Sequence, residues 1–246
     1  MWSVGDASYT NREAMSFAAC GFAGKGETMT EVEWLASDAR PLAQWVRAWT
    51  PPRKYHLLNC ACCRLLAPWF VNYRLADCVD RAERYADGAL TEQTFAKWGK
   101  LADELGRSAY GRPAVARVGE AVRGLFSYRL VSYPATWDAW RVFCVDQTMY
   151  DEPFCSEAPE VVRGMLRDIF GNPFRPVACD PAWRTDTAMS LARGMYESRE
   201  FSAMPILADA LQDAGCDNDD VLNHCRDAKQ VHVRGCWVVD LVLGKE

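Results

Sequence analysis

Residues 53–70, RKYHLLNCACCRLLAPWF, carry the clearest structural pattern in this chain of 246 residues. The apolar residues of this segment recur every three to four positions: Leu57, Leu58, Ala61, Leu65 and Trp69. Such spacing places side chains on one face of an α-helix and does not suit a strand, in which alternate residues share a face. The segment therefore predicts an amphipathic helix.

The same helical pattern continues on both sides of this segment. Thr30 and Glu33 have the spacing of a capping box, and Pro41 fits the first turn of a second helix. Periodicity, together with glycine or proline at the ends, predicts further helices at about 74–86, 92–109, 113–130, from 134 onward, 157–170, 183–197, 202–215 (capped by Ser202) and just after Asp217.

The last segment, residues 231–243, is ambiguous. Val231 and Val233 favour a strand, whereas Trp237 and Val238 fit the face of a helix. We predict a helix, because no second segment alternates as a partner strand would. The predicted fold is all-α, an irregular multi-helix bundle of about nine to eleven helices.

The domain prediction divides the chain into two parts. Residues 1–28 have no apolar period and are expected to be a loose N-terminal tail. They are alternatively a mis-assigned start, because the codons for 24–27 must be purine-rich just before Met29. Residues 29–246 are expected to form a single helical domain. Three prolines place a non-helical, proline-rich connector at 171–182 within it.

Composition excludes several classes of function. A net charge of -5 argues against nucleic acid as the main partner. No run of apolar residues is long enough to cross a membrane. Eleven cysteines are an odd number in a chain too long to need disulfides, which predicts reduced thiols and a cytoplasmic location.

The first chemical candidate lies within residues 53–70. His56, Cys60 and Cys63 share one helical face and offer nitrogen and sulfur ligands that suit zinc. We favour the alternative of small buried cysteines beside one solvated histidine.

The second candidate is a metal site near the C-terminus, with zinc as its cofactor. Two of the three histidines and three cysteines fall within 21 residues: Cys216, His224, Cys225, His232 and Cys236. Their spacing matches no common zinc module, so structural thiols beside loop histidines are the competing interpretation. A catalytic thiol, with Cys225 or Cys236 activated by a neighbouring histidine, is a third interpretation.

The proline-rich connector offers a candidate interaction element. Phe174 and Arg175 lie between prolines, and a rigid loop loses little entropy when it binds a partner. The alternative is a structural crossover in which Arg175 pairs with a nearby carboxylate.

Four sequence blocks together resemble a family of uncharacterised proteins from bacteria with GC-rich genomes. They are the M-T-E-x-E-W-L start at Met29, C-A-C-C-R at 60–64, R-D-I-F-G-N-P-F-R-P at 167–176 and H-V-R-G-C-W-V-V-D-L at 232–241. The resemblance runs from Met29 to about Lys245. The family has no assigned activity, so the resemblance implies no functional residues.

No familiar catalytic signature occurs, and no catalytic or cofactor-binding residue is assigned. The sequence predicts a helical protein-interaction or adaptor module whose partner is a protein. The alternative is a thiol- or zinc-dependent enzyme that uses the C-terminal cysteines and histidines. The oligomeric state is left open.

Overall fold

The computed structural model describes residues 29–49, 52–67, 73–108, 121–126 and 154–245, and all regular elements within these ranges are helical. The predicted all-α multi-helix fold is confirmed. The helices, in chain order, are α1 Glu31–Ala36, α2 Ala39–Trp49, α3 Pro52–Leu65, α4 Tyr73–Ala86, α5 Glu92–Ser108, α6 Phe154–Phe170, a 3-10 turn Pro181–Trp183, α7 Asp186–Ser198, α8 Met204–Asp213, α9 Asp219–Arg226 and α10 Trp237–Leu243. Residues 121–124 form a further helical turn.

The predicted tail at 1–28, the helix from Pro134 and most of the helix at 113–130 lie outside the described residues.

The predicted capping box at the start of α1 is present. The backbone N–H of Glu33 donates to the Thr30 hydroxyl at 3.3 Å, and the backbone N–H of Thr30 donates to the Glu33 carboxylate at 2.7 Å. Two amides that a helix start leaves without partners are thereby satisfied.

α3 is the central helix of the N-terminal half. All nine residues from Tyr55 to Cys63 are buried, although the sequence predicted only one apolar face. α4 packs on one side of α3 and α6 on another, so the cysteines and small residues lie where neighbouring helices approach closely. A helix that is buried on every side needs no polar face.

The buried apolar residues form two cores. The first is built from α1 to α6, and the second from α7 to α10 with the turns between them. α10 packs against both α7 and α6, so it lies where the two cores meet.

A network of charged side chains joins the two cores. Arg53 of α3 donates to both carboxylate oxygens of Asp240 in α10, at 2.7 and 3.1 Å. Asp87, which follows α4, accepts from Arg53 at 3.1 Å, from the Tyr196 hydroxyl at 2.5 Å and from Arg234 at 2.8 Å. Each charge is therefore buried together with opposite charges and hydrogen-bond partners, as interior ions require.

The segment at 231–243 is a helix only in its second half. Residues 231–233 belong to no helix or strand. Gly235 then turns the chain with φ of +97°, and a Cβ at this position would lie 2.9 Å from Leu57 Cδ1. Only glycine allows this turn to press against α3, so the helix begins after it, at Trp237.

Within the described residues, no helix has both the length and the apolar character needed to span a membrane.

Candidate metal centre

Asp168 is a fully buried carboxylate on α6, with 0% of the residue exposed. Its Oδ1 lies 3.1 Å from His224 Nε2 and 2.8 Å from His232 Nδ1. Its Oδ2 accepts the backbone N–H of Val233 at 2.8 Å. The amide fixes one oxygen, and the other faces two imidazole nitrogens.

His224 is positioned by the short helix α9. The Asn218 side chain caps this helix by accepting the Val221 N–H at 3.1 Å, and Val221, Leu222 and Cys225 face the second core. His224 follows in the last turn, where its ring lies between His232 and Trp237 with centroids 5.0 and 5.2 Å away. The helix therefore holds the imidazole at the junction of the two cores.

His232 and Cys236 come from the turn that precedes α10. The Gly235 turn brings the two residues to the same side, with Cys236 Sγ 3.9 Å from His232 Nδ1 and 3.3 Å from His224 Nε2. Cys236 is the residue before the first turn of α10. Gly171, with φ of +62°, ends α6 against the Trp237 ring, which brings α6 close to this turn.

These residues form the Asp–His–His–Cys cluster: Asp168, His224, His232 and Cys236. One ligand atom from each lies within 4.8 Å of every other. The contacts of 2.8, 3.1, 3.3 and 3.9 Å scatter around the spacing of about 3.3–3.6 Å between ligands in a tetrahedral zinc shell with ordinary bond lengths. Carboxylate, imidazole and thiolate are all ligands that zinc accepts.

Burial and contacts among the four residues set the ionisation of the cluster. Burial raises the pKa of the Cys236 thiol well above its usual range, and the Asp168 carboxylate raises it further. Burial would also raise the pKa of Asp168, but hydrogen bonds and charge interactions with His224 and His232 outweigh it and leave that pKa below its ordinary value. A buried carboxylate therefore stays ionised, while the thiol needs a nearby positive ion to lose its proton.

Of the five predicted metal ligands, the structure brings three together. His224, His232 and Cys236 belong to the cluster, whereas Cys216 and Cys225 lie outside it, in the second core. Cys225 follows His224 on α9 and packs into that core, where burial raises the pKa of its thiol to about 12. Sequence neighbours on a helix point about 100° apart, which explains why only one of this pair reaches the cluster.

Asp168 is the cluster residue that the sequence reasoning missed. It lies 56 residues before His224, and one aspartate on a helix has no local pattern that separates it from a surface acid. Its one distinguishing signal is its neighbours. Met165, Leu166 and Ile169 are all buried, so the period of α6 places Asp168 on an apolar side where an unpartnered carboxylate would not be stable.

The other candidate, His56 with Cys60 and Cys63, has a different environment. His56 was predicted to be solvated, and that expectation is wrong, because only 5% of the residue is exposed. Its ring packs near the rings of Tyr85 and Phe95, and its Nε2 is buried without a hydrogen-bond partner among the described residues. Burial lowers the pKa of His56 to about 4, so the ring is neutral at pH 7.

Phe174 and Arg175 of the connector contact the N-terminal helices. The Phe174 ring is 36% exposed and stacks on Trp45 at 5.6 Å. Arg175 pairs with Glu31 of α1 at 2.6 Å and lies 3.8 Å from Asp220. Pairing with a nearby carboxylate, the alternative weighed for Arg175, is therefore present, and recognition of a partner by these two residues stays a prediction.

Comparison with family models, with curated proteins and with solved structures finds no match to this chain. The resemblance to a bacterial family therefore stays a prediction, and the case for a function depends on the geometry described above.

Proposed function

We propose that this protein binds one zinc ion in the Asp–His–His–Cys cluster, and that the ion fastens α6 to the C-terminal segment of the chain. The observation that carries the proposal is the convergence of four ligand atoms of three chemical types within 4.8 Å. They come from α6, from α9 and from the turn before α10, which are distant in sequence.

The donor set favours zinc over other divalent ions. Magnesium and calcium select oxygen ligands, and this cluster offers one oxygen, two nitrogens and one sulfur. Zinc accepts four such ligands in a tetrahedron. The second oxygen of Asp168 accepts a hydrogen bond from the Val233 amide. This bond orients the carboxylate to offer a single oxygen, as hydrogen bonds to ligand side chains do in known metal sites.

The burial of the donors favours a structural ion over a catalytic one. The side chains of Asp168, His224 and His232 are 0, 11 and 8% exposed, and Cys236 is 0% exposed. A catalytic zinc keeps one position open for water or substrate, whereas a structural zinc is enclosed by four protein ligands. The alternative of a thiol- or zinc-dependent enzyme would require one of these four ligands to move away.

A reducing, cytoplasmic location is part of the proposal. Cys236 can bind a metal only as a thiolate, and it is a free cysteine in the structure.

The proposal is tested by metal analysis of protein purified without added metal, followed by exchange with cobalt. We expect about one zinc per chain, and cobalt-loaded protein should show the sulfur-to-cobalt absorption of a thiolate ligand. The Cys236→Ala variant should lose both signals. Cys225→Ala is the matched control, because Cys225 is equally buried in the same core and lies outside the cluster.

Two results would count against a zinc site of this composition. One is wild-type protein that neither contains nor takes up a stoichiometric metal. The other is equal metal loss from the Cys225→Ala and Cys236→Ala variants, which would assign the effect to the core and not to the ligand.

A second candidate function, interaction with a protein partner, is favoured by the surface around α1. Val32 and Leu35 are 75 and 52% exposed although both are large apolar residues. They are three positions apart on one helix, and the connector lies beside them, because Asn172 and Arg175 both contact Glu31. Exposed apolar side chains on adjoining elements are typical of a binding surface.

This second function is tested by affinity capture with wild type and with the Val32→Glu/Leu35→Glu variant. A bound protein that the double variant loses would support it. Ile206→Glu is the control, because Ile206 is 58% exposed and lies on a different helix, α8. Capture that is equal for all three forms would argue against this surface.

A further inference from the structure

A pocket of about 160 Å³ lies beside α4, where the two cores meet. It is lined by four arginines and two aspartates, which we call the arginine pocket: Asp77, Asp80, Arg81, Arg84, Arg199 and Arg234. None of these residues belongs to the Asp–His–His–Cys cluster. The pocket is therefore a separate feature and does not depend on the proposed zinc site.

The fold places these side chains together for simple reasons. Four of them lie three or four positions apart on α4, a spacing that puts them on one side of a helix. Arg199 ends α7 in the left-handed conformation with φ of 63°, which is uncommon for a residue other than glycine. Arg234 precedes the Gly235 turn, so its side chain returns from the C-terminal segment toward α4.

Two of the four arginines already have anionic partners. Arg199 donates to Glu83 at 2.5 and 3.0 Å and to Asp80 at 2.9 Å. Arg234 donates to Asp87 at 2.8 Å and stacks on the Tyr196 ring at 4.5 Å. These contacts hold both guanidinium groups in place.

The other two arginines form no ion pair with any residue that the structure describes. The guanidinium of Arg81 lies over the Trp98 ring, 5.0 Å from its centroid. A contact with the face of a ring does not use the N–H donors of the group. Arg84 is exposed at the rim of the pocket. Arg81 and Arg84 therefore bring to the lining two guanidinium groups that have no ion-pair partner among the described residues.

We propose that the arginine pocket binds a phosphate group, either as the free ion or as part of a small phosphorylated molecule. Guanidinium groups match phosphate oxygens with paired hydrogen bonds, and a phosphate carries close to two negative charges at neutral pH. A carboxylate has only two oxygens, which one guanidinium fork can satisfy. A phosphate has enough oxygens to engage Arg81 and Arg84 together.

The test is calorimetric titration of the full chain with inorganic phosphate and with adenosine monophosphate, in a phosphate-free buffer of low ionic strength. We expect saturable binding of at least one of the two. Arg84→Ala should weaken that binding by about tenfold or more, the range for a charged hydrogen bond. Arg81→Lys should also weaken it, since lysine keeps the charge and loses the fork. Arg193→Ala, an exposed arginine of α7 outside the pocket, should bind like wild type.

The two ligands distinguish the sources of the phosphate group. Binding of phosphate alone identifies the free ion, and tighter binding of the monophosphate identifies a phosphorylated small molecule. Absence of saturable binding by either ligand would overturn the proposal. So would binding that Arg84→Ala leaves unchanged, because Arg84 is exposed and its replacement should not unfold the chain.

Discussion

His56 in α3 is a buried imidazole and His232 before α10 is a partly buried one, both in cysteine-rich segments, yet their ring nitrogens meet different groups. His56 packs near aromatic rings, and its Nε2 has no hydrogen-bond partner among the described residues. His232 Nδ1 lies 2.8 Å from the Asp168 carboxylate and 3.9 Å from the Cys236 sulfur. The two sites share their residue types and differ in whether a carboxylate and a thiol converge on the ring.

The comparison indicates why the cluster, and not His56, is proposed to bind a metal. Burial alone disfavours the charged ring, so His56 is held neutral with a lowered pKa. At the cluster, one buried carboxylate gives the surrounding nitrogens a negative partner, and the nearby thiol can add a second negative charge when it ionises. Buried negative charge of this kind is stable when it coordinates a cation.

The largest expected effect is the loss of Asp168, which is the residue that separates the two sites. Asp168→Ala should lower the free energy of unfolding by about 3–5 kcal/mol, the range for breaking a buried charged interaction, and should abolish zinc binding. Urea denaturation and metal analysis measure the two effects. Asp209→Ala is the control, because Asp209 is 71% exposed in its ion pair with Arg226, and its loss should change stability by less than about 1 kcal/mol. A small effect of Asp168→Ala would contradict the role assigned to this carboxylate.

The next largest effect is the contribution of His56 to stability, which depends on pH. His56 has a pKa of about 4 in the folded protein and an ordinary value of 6.5, so between these values the unfolded chain binds the extra proton. The contribution of neutral His56 to stability is therefore complete above about pH 6.5 and decreases as the pH falls toward about 4, by about 3 kcal/mol in all.

The measurement is urea denaturation against pH for wild type and His56→Phe, with chelator present so that metal loss does not contribute. Between about pH 6.5 and 4, the free energy of unfolding of the variant should fall less than that of wild type, because the contribution of His56 is absent. Identical pH profiles for the two proteins would show that His56 is not held neutral by burial.

Removal of the metal should have a somewhat smaller effect and only at the cluster. Chelation should lower the free energy of unfolding by about 2.7 kcal/mol relative to protein with free zinc at a hundred times its dissociation constant. The Cys236→Ala variant, measured in the same way, should not respond to chelator. An equal response in wild type and variant would mean that the metal binds elsewhere.

The smallest expected change in stability is at Cys60, a thiol on the same helix as His56. Cys60 is fully buried and burial raises its pKa well above the usual range, so it is an inert part of the core. Cys60→Ala should cost about 1 kcal/mol through the small cavity left behind, with unchanged zinc content. Loss of metal from this variant would erase the distinction between the two sites.

The sequence predicted the local features well. Apolar periodicity and caps are properties of neighbouring residues, so the α1 capping box and the bounds of α4 and α5 agree closely with the structure. The predicted caps of two later helices were wrong. Asn218 caps α9 instead of Asp217, and Ala203 precedes α8 without a side-chain cap where Ser202 was expected.

Features that depend on tertiary contacts were harder to predict. The density of histidine and cysteine near the C-terminus indicated His224, His232 and Cys236, but proximity in sequence could not separate them from Cys216 and Cys225. Asp168 reaches the cluster only because α6 packs against α10. His56 is likewise buried because neighbouring helices cover α3. The sequence of α3 alone does not reveal which helices pack against it.

The most direct test of the zinc site is X-ray absorption spectroscopy of the zinc-loaded protein, which counts the sulfur ligands and measures bond lengths. The predicted shell has one sulfur at about 2.3 Å and three nitrogen or oxygen atoms at about 2.0–2.1 Å. A shell with two or more sulfurs would bring Cys225 or Cys216 back as a ligand, and a shell without sulfur would exclude Cys236. Either result would contradict the Asp–His–His–Cys assignment.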